Sequence, residues 1–419
     1  MRLKMVSISS FLWLFVFFQS GVTLVFLATR ADKFFSFGTY LQGVKYSTLL
    51  LLVISIFLLT KKRQSILTFD SLKYIFVLQI VILYFTMIVH TDIKAINSPT
   101  IILMLVSTLV IFSNQIRLST INSTSITLSI LNFVMVVLQI LSIIPVAQDN
   151  VREGLNIISD RPTGLLFNAF AMGYASVITF SICLYFLKTR KLMILNMAGV
   201  IVSVASVLIS ATRTPLLLMI VFGLTILMQK SKFVTNNWKL LTLAFAGGVL
   251  LFPLATVVLG NVIGNQDMAT LNGRTFLWNC VISKWQQFIP FGVGVQGAFP
   301  QGFCSDDEWF SKLRHPENMF LLNYVESGIL GFIGLVLLFI VSFWYSGKAL
   351  AKGSALPMAV SATFLMSSIF YVPLFHYLPF LENRTADRGV FNFYLLTILW
   401  MAIMNSTRSE KEQQLTKKL

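Results

Sequence analysis

Apolar runs of about 15–22 residues recur from one end of this 419-residue chain to the other, and nothing else constrains its fold as strongly. A backbone that crosses hydrocarbon must satisfy its N–H and C=O groups internally, and about 20 apolar residues of helix do so across a bilayer core. Twelve runs are legible, at 11–28, 43–59, 74–89, 100–112, 126–146, 164–187, 192–211, 215–228, 240–260, 324–345, 355–375 and 390–404. Those at 100–112 and 215–228 are short, so each is expected to tilt little or to borrow flanking residues. Composition agrees, because 56% hydrophobic residues, 11% charged residues and a mean hydropathy of +0.80 exclude an ordinary soluble domain. The pattern predicts an all-α integral membrane protein of about twelve transmembrane helices, one polytopic domain over 1–419. The first run lacks a small-residue cleavage site and further spans follow it, so no cleavable signal peptide is expected.

Basic residues orient the spans. With the N-terminus inside, 19 Lys/Arg fall in cytoplasmic segments and 9 in the short outer loops, leaving aside 4 in the one long loop. This positive-inside bias places both termini in the cytoplasm. The net charge of +16 is then mostly topology and contact with membrane lipids. No basic cluster sits on a soluble domain, so nucleic acid is not an expected partner.

One segment gathers the polar chemistry that the spans avoid. Residues 261–323 form a large periplasmic loop inserted between spans 9 and 10. Within it, Phe276, Leu277, Val281 and Trp285 predict an amphipathic helix lying on the membrane surface across 270–288. The glycine-rich stretch 292–302 is expected to be irregular, and 306–313 suits another short helix. Cys280 and Cys304 both fall in the loop, where an oxidising periplasm permits either a disulfide or two free thiols. Cys183 lies inside a span and reads as a small apolar filler.

Three arginines lie at the outer ends of spans: Arg161 before the sixth, Arg213 in the tight hairpin between the seventh and eighth, and Arg274 at the start of the long loop. A guanidinium stays charged, and its planar fork matches phosphate oxygens in two-point contact. Three of them converging could hold a diphosphate without a metal, whereas one alone is better explained by snorkelling to lipid headgroups. Near them in the chain, Glu317 and His315 are the candidates for proton transfer, and His-Pro-Glu-Asn is also good helix-entry chemistry with Asn318 as N-cap. Glu326 falls within the tenth span, where an ionisable group is costly and usually partnered. Metal-ligand spacing, a phosphate-binding loop and a dinucleotide fingerprint are all missing from the sequence, so no cofactor is expected.

The order Arg161-Pro-Thr-Gly-Leu-Leu-Phe-Asn, Ser210-x-x-Arg213, Gly273-Arg274-x-x-x-Trp278, Pro290-x-Gly292-x-Gly294 and Asn318-x-x-x-Leu322 leading to Glu326-Ser-Gly-Ile-Leu-Gly331 resembles the O-antigen ligase/polymerase superfamily. The resemblance covers about two-fifths of the chain. It implies a GT-C-like, inverting, metal-independent glycosyltransferase of the bacterial inner membrane that uses an undecaprenyl-diphosphate-linked glycan at the periplasmic face. It also implies that Arg213 and Arg274 engage the lipid diphosphate, and it admits a chain-length regulator as partner; Arg161, at the same outer face, is expected near them. Ligases of this superfamily usually carry His directly before the Asn; here that position is Glu317, with His315 two residues earlier. The departure favours a repeat-unit polymerase over a ligase that acts on lipid A–core. A transporter or flippase also suits many spans and few charges, but it would carry its polar residues near the bilayer midplane.

Overall fold

The computed structural model describes residues 118–141, 143, 162, 164, 169–188, 192–210, 212–266, 271, 274–293 and 318–370. Every regular element among them is helical. In chain order these are α1 (Leu118–Ile140), α2 (Ala169–Lys188), α3 (Met193–Ser210), α4 (Arg213–Met228), α5 (Lys232–Asn236), α6 (Trp238–Val262), α7 (Arg274–Ser283), a 3-10 turn (Trp285–Phe288), α8 (Met319–Ala351) and α9 (Leu356–Phe370). Seven of the apolar runs thus appear as helices. The runs at 11–28, 43–59, 74–89, 100–112 and 390–404 lie outside the described residues. Ile121–Ile140, Met193–Ser210, Trp238–Val262 and Met319–Ala351 are long and apolar enough to cross a membrane by length and composition. Met172–Lys188, Arg213–Met228 and Leu356–Phe370 are shorter apolar helices. These helices are consistent with an integral membrane protein.

α9 lies in the interior of the described bundle. It packs against α2, α4, α6 and α8, and every residue from Leu356 to Ile369 is buried. A helix wrapped by others meets little lipid. By contrast, Ile194, Ile201 and Leu208 on α3 and Leu243, Leu250 and Leu254 on α6 are exposed, an apolar surface suited to lipid.

Lipid tails are as apolar as leucine, so burying Leu or Val between spans gains little; close approach and hydrogen bonds hold such helices together. At Gly199 of α3 an added methyl would lie 2.6 Å from Cys183 Sγ of α2, so the two helices touch. Ser203 shares hydrogen bonds with Ser129 of α1 at 3.2 Å and Thr179 of α2 at 3.0 Å, tying three helices at one point. Ser346 of α8 and Ser361 of α9 pair at 3.1 Å. Many other buried hydroxyls return to their own helix, as Ser181 does to the Val177 carbonyl at 2.8 Å. Buried polar side chains therefore run deeper into the bundle than the sequence reading supposed, yet in these contacts between helices they are neutral hydroxyls.

The two ends of the bundle differ. At one, Lys188 closes α2 and donates to the Ile226 carbonyl at the end of α4 at 3.3 Å, and Gln229 Oε1 accepts from Ala355 N–H at 3.0 Å. Lys348 lies 4.6 Å from the Trp344 ring centroid, and that ring meets Trp238 edge-on. Amphipathic aromatics beside basic residues are what a membrane–water boundary selects. Arg213 and Arg274 begin helices at the opposite end.

Candidate active site

The hairpin between α3 and α4 is built by hydroxyls. Asn196, Gly199, Ser203, Ser206 and Ser210 recur at three- and four-residue spacing and form the buried face of α3. Ser210 Oγ donates to the Val207 carbonyl at 2.7 Å and meets Thr212 Oγ1 at 2.6 Å. Thr212 is extended and precedes α4, but its side chain does not cap that helix. It turns instead towards Ser210 and α2, where a methyl on Gly173 would collide with Thr212 Oγ1 and lie 2.9 Å from Pro215 Cγ. The start of α2 is thereby pressed onto the hairpin.

Tyr174, the next residue, joins a third element. It is 1% exposed; its hydroxyl is hydrogen-bonded to the Thr214 side chain and lies in the field of the Arg274 guanidinium. Arg274 is the first residue of α7 and 5% exposed, with Nη1 donating to the Leu271 carbonyl at 3.2 Å. Arg213 opens α4 and is exposed. Through Tyr174, the beginnings of α2, α4 and α7 share one end of the bundle.

Both arginines occupy positions that helix physics disfavours. A helix N-terminus carries a positive partial charge, so a cation in the first turn costs where an anion would gain about 0.3–1 kcal/mol. Withdrawing the Arg274 charge from water adds a further penalty. Two guanidinium forks beside helix N-termini suit a polyanionic group, which would repay both costs.

The loop helix differs from the sequence expectation. Arg274, Leu277 and Val281 are its buried face, because positions three and seven residues apart share a side of a helix. Phe276, off that face, is 45% exposed, and Trp285, beyond the end of α7 at Ser283 and in the 3-10 turn, is 48% exposed. The segment packs against α8. Cys280 in α7 is disulfide-bonded, and Cys183 is free and buried.

Asn318 N-caps α8 as expected, its Oδ1 accepting from Leu321 N–H at 3.1 Å. Glu326 is 5% exposed within the same helix. Arg161, His315, Glu317 and Cys304 lie outside the described residues, as do His90, His376, Asp387, Arg388 and the tail 405–419.

Residues 198–336 match the O-antigen ligase family. That match supports the superfamily resemblance carried by the motifs. It runs from α3 into α8, so Arg213, Arg274, Asn318 and Glu326 fall inside the O-antigen ligase match and Arg161 precedes it. It supports an enzyme of O-antigen ligase or polymerase type, acting on lipid-linked glycan. No curated protein matches the chain. Tyr174 and Thr214, which link the two arginines' helices, escaped the sequence reading. Thr214 follows Arg213 directly and was in principle legible, whereas one tyrosine in an apolar run carries no signal of its own.

Proposed function

We propose that the protein is a repeat-unit polymerase of the bacterial inner membrane. It moves a growing glycan from undecaprenyl diphosphate onto the non-reducing end of a new lipid-linked unit, at the periplasmic face, with both termini cytoplasmic. An acceptor hydroxyl gives its proton to Glu317, or to His315 if that residue is the base, and its oxygen attacks the anomeric carbon. The bond to the diphosphate oxygen breaks with inversion, and the electron pair stays on undecaprenyl diphosphate. Arg274, Arg213 and Arg161 stabilise the charge that develops there. The observation that carries this reading is the buried Arg274 at a helix start, joined through Tyr174 to the hairpin of Arg213.

A ligase acting on lipid A–core is the second reading, favoured by the family description of residues 198–336. Silver-stained lipopolysaccharide from a deletion strain separates the two. A single core-plus-one-unit band is the polymerase result, complete loss of core-linked units is the ligase result, and an unchanged ladder sinks both.

The proposed reaction assigns charge neutralisation to guanidinium groups. Purified protein is therefore expected to transfer glycan at full rate with a chelator present and no divalent cation or nucleotide added. Activity lost to the chelator and restored by Mg²⁺ would contradict this.

Tyr174→Phe removes the hydroxyl that meets Thr214 while keeping the ring. It is expected to lower transfer about tenfold, the scale of one hydrogen bond, with the protein still inserted. Unchanged transfer in membranes of matched protein content would rule out a role for that link.

A further inference from the structure

The long loop and α8 interlock backbone to backbone. α8 is interrupted at Gly328, which has φ 65° and ψ −158° inside an otherwise helical run. Just ahead of that break the Val325 carbonyl accepts the Val293 N–H at 2.8 Å, while Gly292 N–H bonds to the Phe288 carbonyl at 2.8 Å. Gly292 has φ +72°, and a methyl there would come within 2.5 Å of the carbonyl oxygens of Val325 and Glu326. In return, a methyl on Gly328 would collide with the Pro290 carbonyl and lie 2.7 Å from the Gly292 nitrogen. Each glycine is thus demanded by the other segment. The obstructing atoms are main chain, so rotating a side chain gives no relief, and both left-handed φ values disfavour any other residue.

Side chains extend the contact. Phe288 is fully buried and meets Tyr324 edge-on, 5.8 Å between centroids, and the Tyr324 hydroxyl donates to the Trp285 carbonyl at 2.7 Å. Positions 285, 288 and 292–293 of the loop are therefore registered against 324, 325 and 328 of α8. Only one residue separates Trp285 from the end of α7, so this register is handed directly to the helix that starts with Arg274.

We infer that the 290–293 turn seated in the break of α8 is a clasp that holds Arg274 in place, and that Gly292 and Gly328 are positioning residues for the transfer reaction. The inference rests on the reading of Arg274 as a ligand of the lipid diphosphate. Displacing a binding group by about 1 Å costs on the order of 10²-fold in rate.

The test uses full-length protein in nanodiscs, comparing native protein with Gly328→Ala, Gly292→Ala and Tyr324→Phe by hydrogen exchange and by glycan transfer per inserted molecule. Gly247→Ala, where a methyl meets open space, serves as control. Native protein is expected to protect the Gly292 and Val293 amides. The two alanine variants are expected to exchange at least about tenfold faster there and through α7, with α2, α3 and α9 unchanged, and to lose about 10²-fold in transfer. Tyr324→Phe, which removes one hydroxyl contact only, shows the same loosening in smaller degree at 285–288. Fast exchange at Val293 in native protein overturns the clasp, and so does a variant with a loosened turn but full transfer. Protection lost throughout the bundle assigns the glycines to overall stability and also overturns it. If native protein transfers no glycan, the proposed reaction fails, and exchange in α7 alone decides whether the clasp positions that helix.

Discussion

Lysine at position 274 is expected to cut glycan transfer by about 10²–10³-fold while the protein still inserts, the scale of losing one well-placed donor to developing charge. The substitution keeps the positive charge, so a residue serving only topology or headgroup contact would tolerate it. What it removes is the planar fork, which a compact ammonium cannot reproduce against two phosphate oxygens. Position 274 is the more sensitive of the pair because Arg274 is 5% exposed and opens α7, where water is a poor substitute for a lost contact. Arg213→Lys acts in the same direction, and less severely, since Arg213 is exposed. If both side chains hold one diphosphate, the double variant is expected to fall short of the sum of the single effects, as coupled sites do. The measurement is transfer by membranes with matched protein content. Full complementation by both lysine variants would remove the arginines from the reaction.

Glu317→Gln is expected to lower polymer formation by about 10²–10⁴-fold, the usual contribution of a general base. The amide preserves the shape of the carboxylate and most of its hydrogen bonding but cannot accept the acceptor hydroxyl's proton. His315→Ala is then the milder change. The reverse ranking would move the base to His315 and favour the ligase reading. Normal ladders from both variants would leave the segment before Asn318 as helix entry only, a role that the Asn318 cap on Leu321 N–H already fills. Because Glu317 directly precedes that cap in the chain, the amide and alanine variants should be checked for intact insertion before their ladders are compared.

How much of this was legible in sequence follows from the range of the forces involved. The helices at 118–140, 193–210, 238–262 and 319–351 were legible because hydrocarbon leaves an apolar chain of that length almost no other way to satisfy its backbone. Arg213, Arg274 and Asn318 were legible as chemistry because cations and caps at span ends are local features. The partition of α7 was not: Phe276 and Leu277 are equally apolar, and only tertiary packing buries the second and leaves the first outside. Nor was the central place of α9, whose apolar sequence suits lipid and protein surroundings alike. The charge and hydropathy of this chain by themselves determined that it spans a membrane as helices and where its basic residues collect. Tertiary structure alone decided that Tyr174 joins the hairpin of Arg213 to Arg274, and that Gly292 and Gly328 face one another. Contacts between residues so far apart in the chain depend on how helices pack, and in lipid that packing turns on close approach and single hydrogen bonds, which leave little trace in a hydropathy pattern.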